Sequence, residues 1–575
     1  FRLSKMSVLP HTSILTRMDE LFNSDQKKYT KEPLALLEEL RAAFPRDRQH
    51  DWASASLDSS SSVDPAAPSP FLVRMRCMVQ DASGSELFAA ACEISRGDER
   101  LTVTGVLRDS FDGWEVSETH GYSERHCYVL VPVPGETAWF RRLFLEEEKM
   151  KESDEDGQKE NKRARFSSLG FKQTAVVGKF LSEKASELKT NCIIDVYGVL
   201  NNGAKQNEER EGEEGMNMDT ESADSDRVKS TEVMDNLHVI HYEVVKPCPD
   251  CLDMKATSSP VGTLLGNAMQ MVRGRLAECM GDRVAGDLLC MHLVSTVFSR
   301  QPFPTCAFPL SVCGVADSAP FVQLLETLMP KVKVLDFTEA ISSGRPLQPI
   351  KKCTADDDAD RLTQTDLQLS DGTNLVLLEM SDEKKMSIDG AIPFVESNAA
   401  ALHRLISEQK LNFDFGFYTL PFDVDVPVLV LSRGRSHFIS TPFRACLPEG
   451  DGLKMAETVR ALSSSTAPDQ LHLMRAALAT TRSQLSRIAI SAETARAIQN
   501  DMVAMCGQPA AHGITPETKA DIMNQLMVMA RLATAIRGET EISVAAWEEA
   551  KELRARSAAA IEQRFPAPPP TETLN

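Results

Sequence analysis

Apolar and polar residues follow two different periods along this chain. Residues 18–44 carry Leu and Phe at helical spacing and predict a helical segment. After residue 70 the spacing shortens to two, and β-branched residues become frequent. This pattern predicts strands at 71–81, 86–94, 100–109, 127–134, 191–200 and 237–245. Five or six short strands separated by long insertions are typical of an OB-like β-barrel.

From about residue 260 the chain alternates amphipathic helices with short buried runs. The helices are predicted at 269–280, 285–299 and 320–329, and the strands at 308–313, 332–337, 374–380 and 426–432, with a hairpin at 413–424. This alternation indicates an α/β sheet. After residue 452 only helices are predicted, with Ser491, Thr515 and Ser543 at helix starts and Gly538 at a helix end.

The net charge of −20 over 575 residues argues against a protein that binds DNA through its phosphates. Much of this charge lies in residues 146–160 and 208–226, which are poor in apolar side chains and are predicted to be disordered. The basic run beside the first of these segments contains Lys162, Arg163 and Arg165 and matches a small nuclear-import signal.

Thirteen cysteines lie mostly within apolar runs, which predicts buried thiols in a reducing compartment and no disulfides. The pair Cys248 and Cys251 has no second pair downstream, so we interpret it as part of a linker and predict no metal site. Apolar runs stay well short of the roughly 20 residues that a membrane helix needs, and no membrane association is predicted.

Residues 308–325 have the layout of a phosphate-binding loop: a buried strand, a glycine turn and a helix. Such a loop needs a lysine for the phosphate charge and a hydroxyl for Mg²⁺. Gly314 opens the turn, but Pro320 stands in place of the lysine and Phe321 in place of the hydroxyl. The sequence therefore predicts no nucleotide cofactor and no catalytic residue.

The order of strands followed by a helical bundle resembles the AAA+ module of the MCM replicative helicase. RLATAIRGETEISVAAWEEAKELRARS (531–557) is similar to the last two lid helices, and DGTNLVLLEMSDEKKM (371–386) to the Walker B strand. On this resemblance Glu379 matches the catalytic glutamate, whereas Leu378 replaces the Mg²⁺-linked aspartate. The sensor asparagine is replaced within residues 432–433, and the sensor arginine aligns near Asp521.

Four further segments are similar to signature blocks of the MCM-binding protein family: FLVRMRCMVQD (71–81), YVLVPVPGETAW (128–139), NCIIDVYGVL (191–200) and DLLCMHLVSTVFSR (287–300). The resemblance implies a nuclear protein that binds MCM subunits, reaches chromatin through them, and supports assembly, supply or unloading of the helicase in DNA replication. SRGRS (432–436) departs from the family, which has an acidic residue before GRS.

The expected fold class is multidomain α/β. It comprises an N-terminal helical segment and linker (1–68), an OB-like β domain (69–250) with disordered acidic insertions near 145–168 and 201–230, a degenerate AAA+-like α/β domain (255–450), a C-terminal helical lid (451–565) and a disordered tail (566–575).

Three functions are compatible with these features. The leading hypothesis is a non-enzymatic binding factor or chaperone for MCM subunits. The first alternative is an ATPase whose site a partner subunit completes in trans. The second is a barrel that binds single-stranded nucleic acid, although the barrel offers few aromatic residues (Phe71, Tyr128 and Tyr197) beside its acidic insertions, so direct nucleic-acid binding is not expected.

The histidines of the chain have a structural interpretation. His292 lies on an apolar helix and is predicted to be a hydrogen-bonded core or interface residue. His238 and His241 lie three residues apart in a predicted strand, so they should face opposite sides and not share a metal.

Overall fold

The computed structural model describes residues 12–46, 52–56, 71–111, 113–146, 169–170, 175–201, 235–246, 261–301, 304–352, 361–380, 393–436, 439–450, 452–507 and 516–566. The fold is mixed α/β, with fourteen helices in these ranges. The chain forms two compact units, Phe1–Val133 with Arg142–Val245 and Pro134–Arg141 with Lys246–Asn575. The acidic segments, the basic run at 162–165 and the pair Cys248 and Cys251 lie outside the described residues.

Five strands of the first unit close into a ring. The strands of this unit are β1 Ala53–Ser56, β2 Phe71–Arg96, β3 Glu99–Val103, β4 Glu115–Val131, β5 Leu169–Gly170, β6 Val176–Phe180, β7 Ile193–Asn201 and β8 Asp235–Val244. Around the ring, β2 pairs with β4, β4 with β6, β6 with β8, β8 with β7, and β7 again with β2. Only the β6–β8 pair of the ring is parallel. Because the ring is closed, its five strands have no free edge.

The long strand β2 makes this closure possible. Its first part pairs with β7 and its second part with β4. The sequence predicts two strands here, at 71–81 and 86–94, because DASGSE between them is typical of a turn. Instead the strand continues through Gly84, whose φ is +88°, with register shifts on both sides. The sequence also misses the five residues of β6, which the ring requires.

Three N-terminal helices, α1 Thr12–Ser24, α2 Gln26–Lys31 and α3 Pro33–Ala43, replace the single helical stretch expected at 18–44. Their apolar faces share one buried cluster with the barrel strands. Members of this cluster include Ile14, Met18, Phe22, Leu37, Leu40, Leu72, Val199 and Ile240. The helices therefore belong to the core of the first unit.

A buried group of charges joins the strands of the barrel. The Arg125 side chain, only 4% exposed, is ion-paired with Glu86 and Asp109, and Lys179 Nζ lies 2.9 Å from an oxygen of each carboxylate. Burial would raise the pKa of Asp109, but its contacts with His238, Arg125 and Lys179 hold it well below its usual range. His238 Nδ1 lies 3.1 Å from an Arg125 nitrogen. A guanidinium can only donate, so Nδ1 accepts this hydrogen bond and the His238 ring is neutral. Burial lowers the pKa of His238, which agrees with a neutral ring.

The second unit is built on a parallel sheet. Its five strands are β9 Leu310–Cys313, β10 Val332–Asp336, β13 Asn374–Glu379, β16 Val428–Ser432 and β17 Phe443–Cys446, in the order β10-β13-β16-β9-β17. Every neighbouring pair is parallel. All residues of β9 and β16 are buried, as expected for strands covered on both faces.

A smaller sheet lies in the same unit. It contains β11 Ile350–Lys352, β12 Arg361–Thr363, β14 Lys410–Asp414 and β15 Thr419–Asp423 in the order β12-β11-β14-β15. The β14–β15 pair confirms the hairpin expected at 413–424. Phe413 is fully buried in the cluster that joins this sheet to the main one, whereas Phe417 at the hairpin tip is 93% exposed.

Helices cover the main sheet and then continue alone. They are α4 Ala138–Glu146, α5 Val261–Met280, α6 Arg283–Val294, α7 Ala319–Leu328, α8 Phe337–Ser342, α9 Val395–Glu408, α10 Gly452–Ser465, α11 Pro468–Gln484, α12 Ala492–Gly507, α13 Pro516–Ile536 and α14 Val544–Arg564. Among the described helices, none is both long and apolar enough to span a bilayer.

The C-terminal helices largely follow the sequence signals. Ser543 accepts a hydrogen bond from the Ala546 amide, and Ser491 one from the Thr494 amide, so both cap helices as expected. Thr515 lies outside the described residues. The expectation of helices alone after residue 452 is wrong in one detail, because Ala489–Ile490 (β18) and Glu541–Ile542 (β19) form a short parallel pair. Two-residue strands are too short to show a period.

Lys331, directly before β10, is buried at 6% exposure. Its Nζ lies 2.9 Å from the Ser370 hydroxyl and 2.6 Å from the Asp371 carbonyl oxygen. Burial, aided by the charge of Arg482, lowers the Lys331 pKa to about 7. A neutral amine has two N–H donors, and these two acceptors satisfy both.

We expect this amine to make stability depend on pH. The unfolded chain keeps Lys331 protonated up to its ordinary pKa of 10.5, whereas the folded chain releases the proton near 7. Stability from this group therefore rises with pH between those values, by up to about 1.4 kcal/mol per pH unit. Thermal unfolding should show the stability difference between wild type and Lys331→Met shifting in favour of wild type as the pH rises from about 7 to about 9.5. A stability difference that does not change with pH would contradict this prediction.

Candidate functional site

Three neighbouring strands of the main sheet bring the predicted site residues to one edge. In the ladder, Cys313 at the end of β9 pairs with Ser432 of β16, and Ser432 pairs with Glu379 of β13. The turn that starts at Gly314 therefore leaves the sheet at the level of Ser432 and Glu379. The carboxyl edge of parallel strands is where α/β proteins bind ligands.

Two backbone amides of the turn after β9 already have acceptors within the protein. Gly314 has φ +84°, a value that favours glycine. The Val315 amide donates to the Ser432 carbonyl oxygen at 3.0 Å, and the Ala319 amide to the Asp317 carboxylate at 3.0 Å. Pro320, at the start of α7, has no N–H. The carboxylate of Asp317 thus accepts one of the amides at the start of α7 and places a negative charge there.

Pro320 and Phe321 are core residues of α7. Both are buried, and Phe321 has no exposed surface. A hydroxyl at the Phe321 position would need to face the ligand to hold Mg²⁺, but this side chain points into the protein. The helix start is therefore held by packing.

A side chain from the end of the chain covers the turn. A Cβ atom added to Gly314 would lie 2.8 Å from Nη1 of Arg564, the last residue of α14. Arg564 Nε also lies 3.9 Å from a Glu449 oxygen. The Arg564 guanidinium therefore occupies the space directly against the glycine.

Glu379 is buried at 7% exposure and accepts a hydrogen bond from the Ser436 hydroxyl. Leu378, its neighbour on β13, contributes an apolar side chain where Mg²⁺ chemistry needs a carboxylate. The Ser432 hydroxyl donates to the Gly434 carbonyl oxygen at 2.8 Å. Asp521, which stands near the position expected for the sensor arginine, is exposed on α13.

These residues do not fit a magnesium nucleotide. Pro320 and Phe321 stand in place of the lysine and the hydroxyl, while β13 ends in Leu378 and Glu379 rather than in an aspartate followed by a glutamate. Within the described ranges, no group of three or more His, Cys, Asp or Glu side chains could hold a metal ion.

The histidines lie in structural positions. His292 Nδ1 lies 2.9 Å from the Phe308 carbonyl oxygen, and burial lowers the His292 pKa to about 4, which keeps the ring neutral. This confirms a hydrogen-bonded core histidine. His241 contacts the Phe44 carbonyl oxygen at 2.8 Å, whereas His238 faces Arg125, so the two point to different partners.

The structure adds three residues to the site that the sequence did not indicate. Asp317 is the one with a sequence signal, because an acidic residue shortly before a proline at a helix start is typical of a cap. Ser436 approaches Glu379 through a loop, and Arg564 approaches Gly314 from a position 250 residues later. No pattern in the neighbouring sequence indicates either of these two contacts.

Replacing Phe321 should therefore affect folding. We expect Phe321→Ala to lower the free energy of unfolding by about 3–5 kcal/mol, because it leaves a cavity in the core. The matched control is Phe417→Ala at the exposed hairpin tip, which should change it by less than about 0.5 kcal/mol. Denaturant unfolding followed by circular dichroism measures both, and equal effects of the two substitutions would show that Phe321 is not a core residue.

Comparison with known proteins identifies relatives over most of the chain. The mini-chromosome maintenance complex-binding protein of Gallus gallus is 26% identical over 580 residues, covering 86% of this chain and 89% of that protein. The protein of the same name from Danio rerio is 25% identical, covering 84% and 87%. That from Homo sapiens is 24% identical, covering 86% and 89%. The profile of the mini-chromosome maintenance replisome factor family matches residues 60–175 and 170–560. The chain belongs to this family.

Proposed function

We propose that this protein is a non-enzymatic nuclear factor that binds subunits of the MCM helicase and supports their assembly, stability or unloading during DNA replication. The names of its relatives supply the partner, since they are MCM complex-binding proteins. The observation that carries the non-enzymatic part is the turn after β9, where packing and Asp317 replace the groups that hold a nucleotide.

The two units support a helicase-like ancestry. A closed ring of five strands suits an OB-like barrel, and a parallel five-stranded sheet followed by helices suits a degenerate AAA+-like domain with a C-terminal lid. A protein with domains of these two kinds can dock where a helicase subunit docks. Without a nucleotide site, docking is not coupled to turnover.

Location in the nucleus is part of the same proposal. MCM subunits act on chromosomes, so a factor that supports them meets them there and reaches chromatin through them. The basic residues Lys162, Arg163 and Arg165 are the candidate import signal.

Direct binding of nucleotide is the first test. Isothermal titration of the full chain with Mg·ATP should give no saturable heat, and Glu379→Gln should behave identically. The physical reason is that Pro320, Phe321 and Leu378 supply none of the lysine, hydroxyl and aspartate groups that hold phosphate and Mg²⁺. Micromolar binding that Glu379→Gln alters would overturn the non-enzymatic proposal.

Binding to purified MCM subunits is the second test. The immobilised chain should retain one or more subunits equally well with and without ATP, because its own site takes no part. Mass spectrometry of the retained chains identifies the subunit. In the reconstituted complex, ATP turnover should be the same with wild type and with Glu379→Gln. A loss of turnover would favour an ATPase completed in trans, and failure to retain any subunit would contradict the proposed partner.

A further inference from the structure

The second unit contains a cavity of about 540 Å³ away from the turn after β9. It lies among β17, α6, α13 and α14, and its size is that of a small-molecule or side-chain binding site. Gly314, Pro320, Phe321, Leu378 and Glu379 are not among its lining residues. The cavity is therefore distinct from the candidate nucleotide site.

The floor of the cavity is mostly apolar. Four of its six buried lining residues are apolar (Leu288, Phe443, Met529 and Ile561), and the other two are Thr441 and Ser557. Phe443 stacks on Phe308 with ring centroids 3.8 Å apart, so one face of its ring is already covered. The other three apolar side chains are aliphatic. Such a floor favours an apolar side chain over a stacked nucleobase.

The rim of the cavity is cationic. Arg435, Arg444 and Arg554 line it with Glu562, so three full positive charges face one negative charge. The whole chain has a net charge of −20, which makes this patch a local exception. Arg435 lies 3.7 Å from the exposed Glu562 carboxylate. The rim keeps an excess of positive charge.

Arg554 is a partly buried member of this rim. Its Nε donates to the neutral Gln525 amide oxygen at 3.2 Å, and burial lowers its pKa. A guanidinium removed from water gains most from a carboxylate that reaches it, because the attraction is strongest where solvent screening is weak.

We propose that this cavity binds an acidic peptide segment of a partner protein, with an apolar side chain on the floor and carboxylates on the arginine rim. The charge excess of the rim selects an anionic partner, and the aliphatic floor selects one with an apolar anchor.

A short fluorescein-labelled peptide of Glu, Leu and Phe is the probe, with two comparison peptides in which Gln replaces Glu or Ser replaces Leu and Phe. Fluorescence anisotropy with the full chain should show saturable, salt-sensitive binding of the probe and about ten-fold weaker binding of both comparison peptides. Equal binding of all three, or no binding of the probe, would overturn the proposal.

Matched variants locate the binding. Ala558, exposed on α14, lines the cavity, whereas the adjacent exposed Ala559 does not. Ala558→Glu adds a like charge at the rim and should weaken probe binding about ten-fold or more, while Ala559→Glu should leave it unchanged. Arg435→Gln should weaken binding and its salt dependence. Arg556→Gln, on the 58% exposed Arg556 of the same helix, should do neither.

Three results would assign the cavity differently. Equal effects of Ala558→Glu and Ala559→Glu would place the probe elsewhere on the protein. Displacement of the probe by ATP at micromolar concentration would make the cavity a nucleotide site. Tighter binding of a peptide of residues 208–226 than of the probe would assign it to the chain's own acidic segment. MCM binding that continues in any of these cases leaves the proposed function standing, because the two readouts are independent.

Discussion

Burial of the central strands on both faces is the constraint on which the second unit depends. β9 and β16 have no exposed residue, so each face of the sheet needs a helical cover. The helix α7 supplies part of that cover directly after the turn at Gly314, and Phe321 is one of its buried side chains. Once this helix start serves the core, its first residues cannot also face a ligand. The packing of Phe321 therefore covers the sheet and at the same time keeps this position from binding a nucleotide.

The edge of the main sheet brings together residues from three neighbouring strands. Glu379, Ser432 and Cys313 lie side by side at the carboxyl ends of neighbouring strands. Other groups of the protein surround them: the Ser436 hydroxyl donates a hydrogen bond to the Glu379 carboxylate, and the Arg564 side chain lies against Gly314. Nη1 of Arg564 is buried without a hydrogen-bond partner among the described residues, so internal contacts satisfy this edge only in part. The cationic cavity near β17 is lined by other residues.

Sequence patterns predicted much of this fold wherever a segment was long and periodic. The strands at 308–313, 332–337, 374–380 and 426–432 and the hairpin at 413–424 correspond to β9, β10, β13, β16 and the β14–β15 pair within a few residues. The pattern failed where geometry depends on distant partners. The strand β2 continues through Gly84 because β4 pairs along it, and β6 is defined mainly by its neighbours β4 and β8. Sequence periodicity cannot show such pairings, since they join residues far apart in the chain.

The amino-acid sequence by itself determined what the site cannot contain. A proline and a phenylalanine at positions 320 and 321 and a leucine at 378 exclude the lysine, hydroxyl and aspartate of a nucleotide site in any fold, because residue type decides charge and donor chemistry. Only the tertiary structure decided which side chains lie beside Gly314 and which ones line the cavity. Arg564 reaches Gly314 from 250 residues away, and three arginines from β17, α14 and the loop after β16 surround one cavity. Such contacts between distant residues result from how helices and strands pack, and no local sequence pattern predicts them.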